Sequence, residues 1–333
     1  MRIGVAGAGR IGTMHAANLA ALPQVSEVLL YDPVPGRAQA VAAAPGARAA
    51  RAVDDLGSLL RESDGVVVAT PTTSHPGLVR ECLASGTPAL CEKPIAASLP
   101  EMAALVDEIE AAGVPVLVGF QRRFDPAMVE LRRRIVSGEL GVVYQVRATG
   151  FDAQPPDFGY LPTSGGIFRD LLIHDLDAVP WLVGVPVVEV YAAGAVLVDP
   201  AFAAADDVDN AVVVLRFASG TQAVLSAGRH DPLGYDHRIE VLGARDSVVV
   251  GLDEKTPLRV LGNQGPAAAY SGFPERFQVA YRNEMRVFTD VVGGGAENPS
   301  PARDSLVSLG LAEACERSRR SGQPVRTTEW STP

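Results

Sequence analysis

Lysine is almost missing from this chain. Of its 29 basic residues only Lys93 and Lys255 are lysine, and the other 27 are arginine. Arginine keeps its proton in proteins, whereas a partly desolvated lysine can shift and join in proton transfer, so a lysine retained at a strand end is a candidate for chemistry. Cysteine is nearly as scarce. Cys82, Cys91 and Cys315 show no paired spacing, which excludes a disulfide framework and fits a reducing compartment. No apolar run approaches the length of a membrane span. No basic block offsets the formal charge of −10, so a nucleic-acid partner is not expected; the densest run, Arg132-Arg133-Arg134, reads as a solvated helix face. Repeats and low-complexity segments are also lacking. Asp170, His174, Asp175 and Asp177 lie close together, but no other ligand pattern supports them, and no metal is expected. The first strand opens at residue 2, which leaves no room for a targeting segment, so the expected location is cytoplasmic.

What remains is enough for two ordinary cores. The chain has 333 residues, 47% hydrophobic and 20% charged. Its first third alternates strand candidates (2–6, 25–32, 65–70, 88–91, 115–119) with Ala-rich helical stretches (11–22, 36–44, 76–85, 99–112). That alternation predicts βαβ units and a parallel sheet. After about Phe120 the pattern changes. Helices are predicted near 126–137 and 166–182, and strands near 142–149, 187–198, 211–217, 222–227, 238–242 and 247–250, with closing helices over 278–292 and 301–320. Strands that follow one another without helices predict an antiparallel sheet. The expected domains are 1–121 and 122–333, with the helix at 301–320 packing back on the first.

The opening strand runs into Gly7-Ala8-Gly9-Arg10-Ile11-Gly12, and the second ends on Asp32, 20 positions after Gly12. Each part has a job in holding a dinucleotide. Gly7 permits the strand-to-helix turn, Gly9 lets backbone approach a pyrophosphate, and Gly12 lets the helix pack on the strand. The helix N-terminus faces the phosphate charge, and Asp32 accepts from a ribose diol, which favours NAD over NADP. Arg37 stands five residues beyond Asp32. Thr70-Pro71-Thr72-Thr73-Ser74-His75 opens a helix near the same crevice, where His75 either lines the site or follows a Thr73 or Ser74 cap.

Lys93 lies in Cys91-Glu92-Lys93-Pro94, after the fifth strand, where an open parallel sheet turns its carboxyl ends to a ligand. Residues Phe168 to Asp175 read as helix, so Asp170 and His174, four apart, share a face, and the carboxylate can orient the imidazole for acid–base work. Among the other histidines, His15 reads as packed in the first helix. His230 and His237 bracket a Gly234-Tyr235 turn.

These segments together resemble the glucose-fructose oxidoreductase / inositol dehydrogenase / MocA family over essentially the whole chain. The motifs are GAGRIG at 7–12, CEKP at 91–94, GFQRRFDP at 119–126, SGGIFRDLLIHDLD at 164–177 and RHDPLGYDHR at 229–238. The resemblance implies an α/β protein, with a Rossmann domain followed by an α+β domain that has a large open, mainly antiparallel sheet. It places the family's catalytic lysine on Lys93 and its helix-borne pair on Asp170 and His174. Cofactor contacts would come from Gly7, Gly9, Arg10, Ile11, Gly12, Asp32 and Arg37, and from Thr70, Pro71, Thr72, His75, Glu92 and Lys93. Within the family the motifs look most like those of myo-inositol 2-dehydrogenases, which implies that Arg123, Asp152 and Tyr235 approach a cyclic polyol or sugar. Where inositol dehydrogenases often carry Arg-Asp/Asn-Pro, this chain reads Phe151-Asp152-Ala153. The implied activity is oxidation of a ring secondary alcohol with NAD. The alternatives are another sugar dehydrogenase, an NAD-dependent glycoside hydrolase and a non-catalytic sensor; the presence of Lys93, Asp170 and His174 argues against the last. The family often forms tetramers, and the apolar content of 211–250 (Val212, Val213, Val214, Val224, Leu225, Val248, Val249, Val250) suggests a homotetramer, with a dimer as the fallback.

Overall fold

The computed structural model describes residues 1–44, 49–259, 261–262, 265 and 268–327. The chain divides into two compact units: 1–125 with 279–306, and 126–278 with the residues from 307 on. The expected cut at 121/122 differs from this partition, because 279–306 returns to the first unit.

In the first unit, strands β1 (Arg2–Ala6), β2 (Glu27–Tyr31), β3 (Ala50–Ala52), β4 (Gly65–Val68), β5 (Ala89–Glu92) and β6 (Val116–Gly119) alternate with helices. These are α1 (Arg10–Ala20), α2 (Arg37–Ala42), α3 (Leu56–Glu62), α4 (His75–Ser85) and α5 (Leu99–Ala112). The strands form one parallel sheet in the order β3-β2-β1-β4-β5-β6. That is the strand order of a doubly wound nucleotide-binding sheet, with the reversal between β1 and β4 marking the ligand crevice. The continuous apolar runs follow from it, since strands covered on both faces need no polar alternation; every residue of Gly65-Val66-Val67-Val68 is buried. Two short elements escaped the sequence pattern. β3 has three residues, too few for periodicity, and α3 has seven, although Asp55 caps it by accepting from the Ser58 N–H. A later helix, α12 (Gln278–Val292), supplies Met285, Phe288 and Val291 to the core around Ile3, Val5 and Val67. At Gly65 a Cβ would lie 2.6 Å from Val292 Cγ2, so a glycine there lets α12 approach.

The second unit opens with α6 (Pro126–Val136) and β7 (Val143–Phe151), then the short helices α7 (Leu161–Ser164) and α8 (Gly166–Asp170), and α9 (Ile173–Val183). β8 (Val187–Ala195), α10 (Ala201–Ala204), β9 (Asn210–Phe217), β10 (Gln222–Gly228), β11 (Asp236–Gly243), β12 (Ser247–Val250) and α11 (Phe273–Arg276) follow. After α12 come α13 (Ala302–Ser321) and β13 (Val325–Arg326). Seven strands form a mixed sheet, β12-β11-β7-β10-β9-β8-β13, in which β7 and β10 are parallel and the other pairs antiparallel.

One face of this sheet packs on helices: Val146, Val213, Leu225 and Ile239 share a core with Met128 and Leu131 of α6, Phe168 of α8, Leu176 and Val179 of α9, and Leu311 of α13. On the opposite face Tyr144, Tyr191, Val212, Val214 and Val249 are exposed. Strand alternation thus divides the apolar residues of 211–250 in two: Val213, Leu225 and Val250 fill the unit's own core, while Val212, Val214 and Val249 point away from it. No helix among the described residues is long and apolar enough to cross a membrane.

Candidate active site

The glycine turn after β1 is built as its sequence demands. Gly7 has φ +99°, and a Cβ there would meet Ala69 O at 2.6 Å; at Gly12 a Cβ would lie 1.8 Å from Gly7 O. Gly9 differs. No protein atom would lie within 4 Å of its Cβ, so its lack of a side chain leaves open space rather than relieving a clash. Gly9 is also the N-cap of α1, with no side-chain cap and no acid in the first turn, so the positive end of the helix faces that space. An open backbone cradle at a helix N-terminus fits a pyrophosphate. Asp32, just past β2, accepts from Ala8 N (2.8 Å) and Val34 N (2.9 Å), and Arg37 Nη1 stands 3.6 Å from it. These bonds hold the carboxylate beside the turn, where its remaining lone pairs suit a ribose diol.

At the far end of the crevice, Lys93 is half-buried just beyond β5, and its bond to Pro94 is cis. His75, expected among the cofactor contacts, is buried, and its Nδ1 and Nε2 each stand 2.8 Å from a carbonyl oxygen, of Pro94 and Thr70. Placed between these two carbonyls, His75 links the Thr70 loop to the Lys93–Pro94 turn. Ser74 Oγ donates to Thr70 Oγ1 at 2.7 Å, which stiffens the same loop. Glu92 Oε1 accepts from His15 Nε2 at 2.7 Å. Arg123, implied as a polyol contact, is buried, with Nη1 on Asp304 Oδ2 (2.6 Å) and Pro299 O (3.3 Å).

In the second unit the expected continuous helix over 166–182 is two. Gly165 and Gly166 both have left-handed φ, and α8 ends at Asp170. The Leu172 N–H then reaches back five residues to Ile167 O, a widened turn before α9 starts at Ile173. Asp170 closes α8 and His174 stands in the first turn of α9, so the two flank the break instead of sharing one continuous helix. Asp170 accepts from Tyr160 Oη (3.2 Å) and stands 2.9 Å from Arg229 Nη2. Arg229 also reaches Asp152 Oδ2 at 3.3 Å. Burial acts to lower the pKa of Arg229, but Asp170, Asp152 and Asp207 outweigh it and hold the value raised, so the guanidinium remains a fixed charge between the acids. Arg229 opens the RHDPLGYDHR motif, but the motif gave it no role, because β10, α8 and the residue after β7 meet there only in the fold. His174 is half-buried at the start of α9, and its neighbour Asp175 pairs with His237 at 3.3 Å in full burial. Tyr235 is buried edge-on to Phe277, after Gly234 (φ +140°), whose Cβ would lie 2.5 Å from Ala269 Cβ. His230 is exposed.

The three cysteines are free and buried. Burial raises each thiol pKa, that of Cys82 to about 12, so none is a nucleophile at neutral pH. One titratable cluster had no counterpart in the sequence reading. Donor atoms of His15, Glu92 and Glu284, from α1, β5 and α12, all lie within 4.8 Å of one another.

The open cradle at Gly9 and the acid at Asp32 define a dinucleotide-binding domain, here in a chain whose second unit gathers acids around a buried arginine. Comparison with known proteins narrows the class. Residues 1–120 match the oxidoreductase family with an NAD-binding Rossmann fold, and residues 128–249 match the GFO/IDH/MocA C-terminal domain. The chain belongs to the Gfo/Idh/MocA family of NAD-binding oxidoreductases. It is 42% identical over 325 residues to the myo-inositol dehydrogenase Hyg17 of Streptomyces leeuwenhoekii, covering 97% of this chain and 98% of that one. It is 35% identical to the myo-inositol 2-dehydrogenase of Thermotoga maritima, with 99% of each chain covered. The crystal structure of a myo-inositol dehydrogenase from Corynebacterium glutamicum superposes with a TM-score of 0.88 at 34% identity, over 98% of both chains.

Proposed function

We propose that this protein oxidises a ring secondary alcohol of a cyclic polyol, with myo-inositol the first candidate, to the ketone. Bound NAD supplies the acceptor for the hydrogen that leaves carbon with its electron pair. The hydroxyl proton goes to His174, which is placed at a helix start where its ring is only half-buried. Asp170 carries the charge that steadies the resulting imidazolium, and Lys93 donates to the reacting oxygen as alkoxide charge develops. Asp152 and Tyr235 hold the remaining hydroxyls. Arg123 serves through its grip on Asp304 and Pro299, which fixes the loop after β6.

The observation that carries the reading is the Asp152–Arg229–Asp170 cluster. Two carboxylates gathered on one buried guanidinium suit a substrate made of hydroxyl donors, in a chain similar along its length to inositol dehydrogenases. The test is NADH absorbance across inositols, inososes and common aldoses. The reading expects myo-inositol or a stereoisomer to exceed every aldose in kcat/KM; an aldose that wins by about tenfold moves the substrate class.

The exposed sheet face with Tyr144, Tyr191, Val212, Val214 and Val249 is read as a contact between subunits of a homotetramer, and the protein as cytoplasmic. Light scattering that finds a stable monomer at micromolar concentration would remove the oligomer from this account.

A further inference from the structure

His15, Glu92 and Glu284 come from three elements far apart in sequence. His15 lies on α1, six residues past Gly9; Glu92 is the last residue of β5, immediately before Lys93; Glu284 lies on α12. His15 and Glu284 are fully buried, and Glu92 has a side chain 16% exposed. The His15 ring is held edge-on to Tyr281, one turn before Glu284 on α12, with centroids 5.9 Å apart. Glu92 receives a hydrogen bond from His15, but both carboxyl oxygens of Glu284 lack any hydrogen-bond partner, as does His15 Nδ1.

A bare carboxylate in that position is untenable. Burying an unpaired charge is costly, and a second carboxylate within 4.8 Å adds repulsion. Two things resolve it: a proton on Glu284, or a cation shared by all three groups. The geometry favours the proton. His15 Nε2 and Glu92 Oε1 are 2.7 Å apart, a hydrogen-bond distance. Two ligand atoms each ~2.1 Å from a tetrahedral metal would stand ~3.4 Å apart, and His15 would have to give up the bond it makes.

We propose that His15, Glu92 and Glu284 form one clamp on the turn that carries Lys93, in which Glu284 is an un-ionised acid beside Glu92. Burial, and after it the charge of Glu92, raises the Glu284 pKa well above the ordinary carboxyl range, in agreement with that state. The three groups are positioning residues. They tie the strand end before Lys93 to the glycine-turn helix on one side and to α12 on the other, so α12 braces the cofactor crevice as well as filling the core. The proposal rests on the reading of Glu92 and Lys93 as groups at the nicotinamide end.

The experiment is infrared difference spectroscopy of the full-length protein at neutral pH, wild type against Glu284→Gln, with metal analysis and NAD titration by protein fluorescence on the same samples. The expected results are a protonated-carboxyl band that disappears in Glu284→Gln and no stoichiometric metal. NAD binding should stay within about threefold of wild type in Glu284→Gln, which keeps a neutral donor, and weaken about tenfold or more in Glu284→Val. Absence of the band, or one tightly bound metal per chain that Glu284→Gln loses, overturns the proposal. So does a folded Glu284→Val protein with wild-type NAD affinity. Should Glu284→Val not fold, the band and the metal content still decide. None of these readouts needs a substrate, so a failed inositol assignment leaves the test intact.

Discussion

The two units carry chemistry in different ways. In the first, each feature of the nucleotide crevice sits in a short stretch of chain: Gly7, Gly9 and Gly12 within six residues, Asp32 at the end of the next strand, Lys93 just past β5. In the second, Arg229 after β10 holds Asp170 from α8 and Asp152 from the end of β7. The first kind of site is dictated by backbone geometry at a turn, the second by charge balance among groups that only the fold brings together. Substitutions at the glycines and Asp32 of the first should act on cofactor affinity, those at Lys93 and in the second on turnover.

The largest separation is expected at His174. His174→Ala should lower kcat by roughly 10²–10⁴-fold while NAD affinity survives, as steady-state assays and fluorescence titration would show. Loss of NAD binding in that variant would blur the division of labour. Within the crevice, Gly12 and Gly9 should behave oppositely. Gly12→Ala puts a Cβ 1.8 Å from Gly7 O and should disrupt the turn, lowering the melting temperature together with NAD binding. Gly9→Ala meets no protein atom and should melt near wild type, yet lose NAD affinity by about tenfold or more because the methyl fills the space the pyrophosphate needs. Equal melting losses would mean that Gly9 serves the fold alone. A smaller change is expected for Asp32→Ala. Wild type should prefer NAD over NADP by at least about tenfold in kcat/KM, on the order of 1.4 kcal/mol, and the variant should lose that preference.

The smallest effect concerns pH and stability. Glu284 ionises near its ordinary value of 4.5 when unfolded and well above it when folded, so the folded state binds the extra proton. Stability from this group is therefore complete below about 4.5 and declines as pH rises toward the raised value, by up to about 1.4 kcal/mol per pH unit. Glu284→Gln has no such decline, so urea melts should show its advantage over wild type growing from pH 5 to 8. A constant difference across that range would place the Glu284 proton elsewhere.

Much of the first unit was legible because its signals are local. Strand β1 and helix α12 stand where the patterning puts them, and the glycine spacing named the crevice. The misses have physical reasons. β3 is too short to show a period. The expected helix over 166–182 is interrupted because Leu172 bonds five residues back and the chain changes course, an event that hydrophobic periodicity cannot register. The link that His75 makes between two loops was not legible, because only the fold places Pro94 O and Thr70 O against its two nitrogens. The roles of Arg229 and Glu284 were not legible for a related reason: a buried titratable group is recognised by its partners, and these lie tens of residues or more away in the chain. The substrate class was legible only through the motifs' resemblance to inositol dehydrogenases, and the relatives that the whole chain matches agree with it.

The most direct test of the account is the stoichiometry of turnover on the best inositol found, with NADH and ketone measured in the same reaction for wild type and His174→Ala. The account predicts one NADH for each ketone formed by wild type, and almost none of either from the variant. Consumption of a glycoside without net NADH, or NAD binding with no turnover of any polyol, would contradict it.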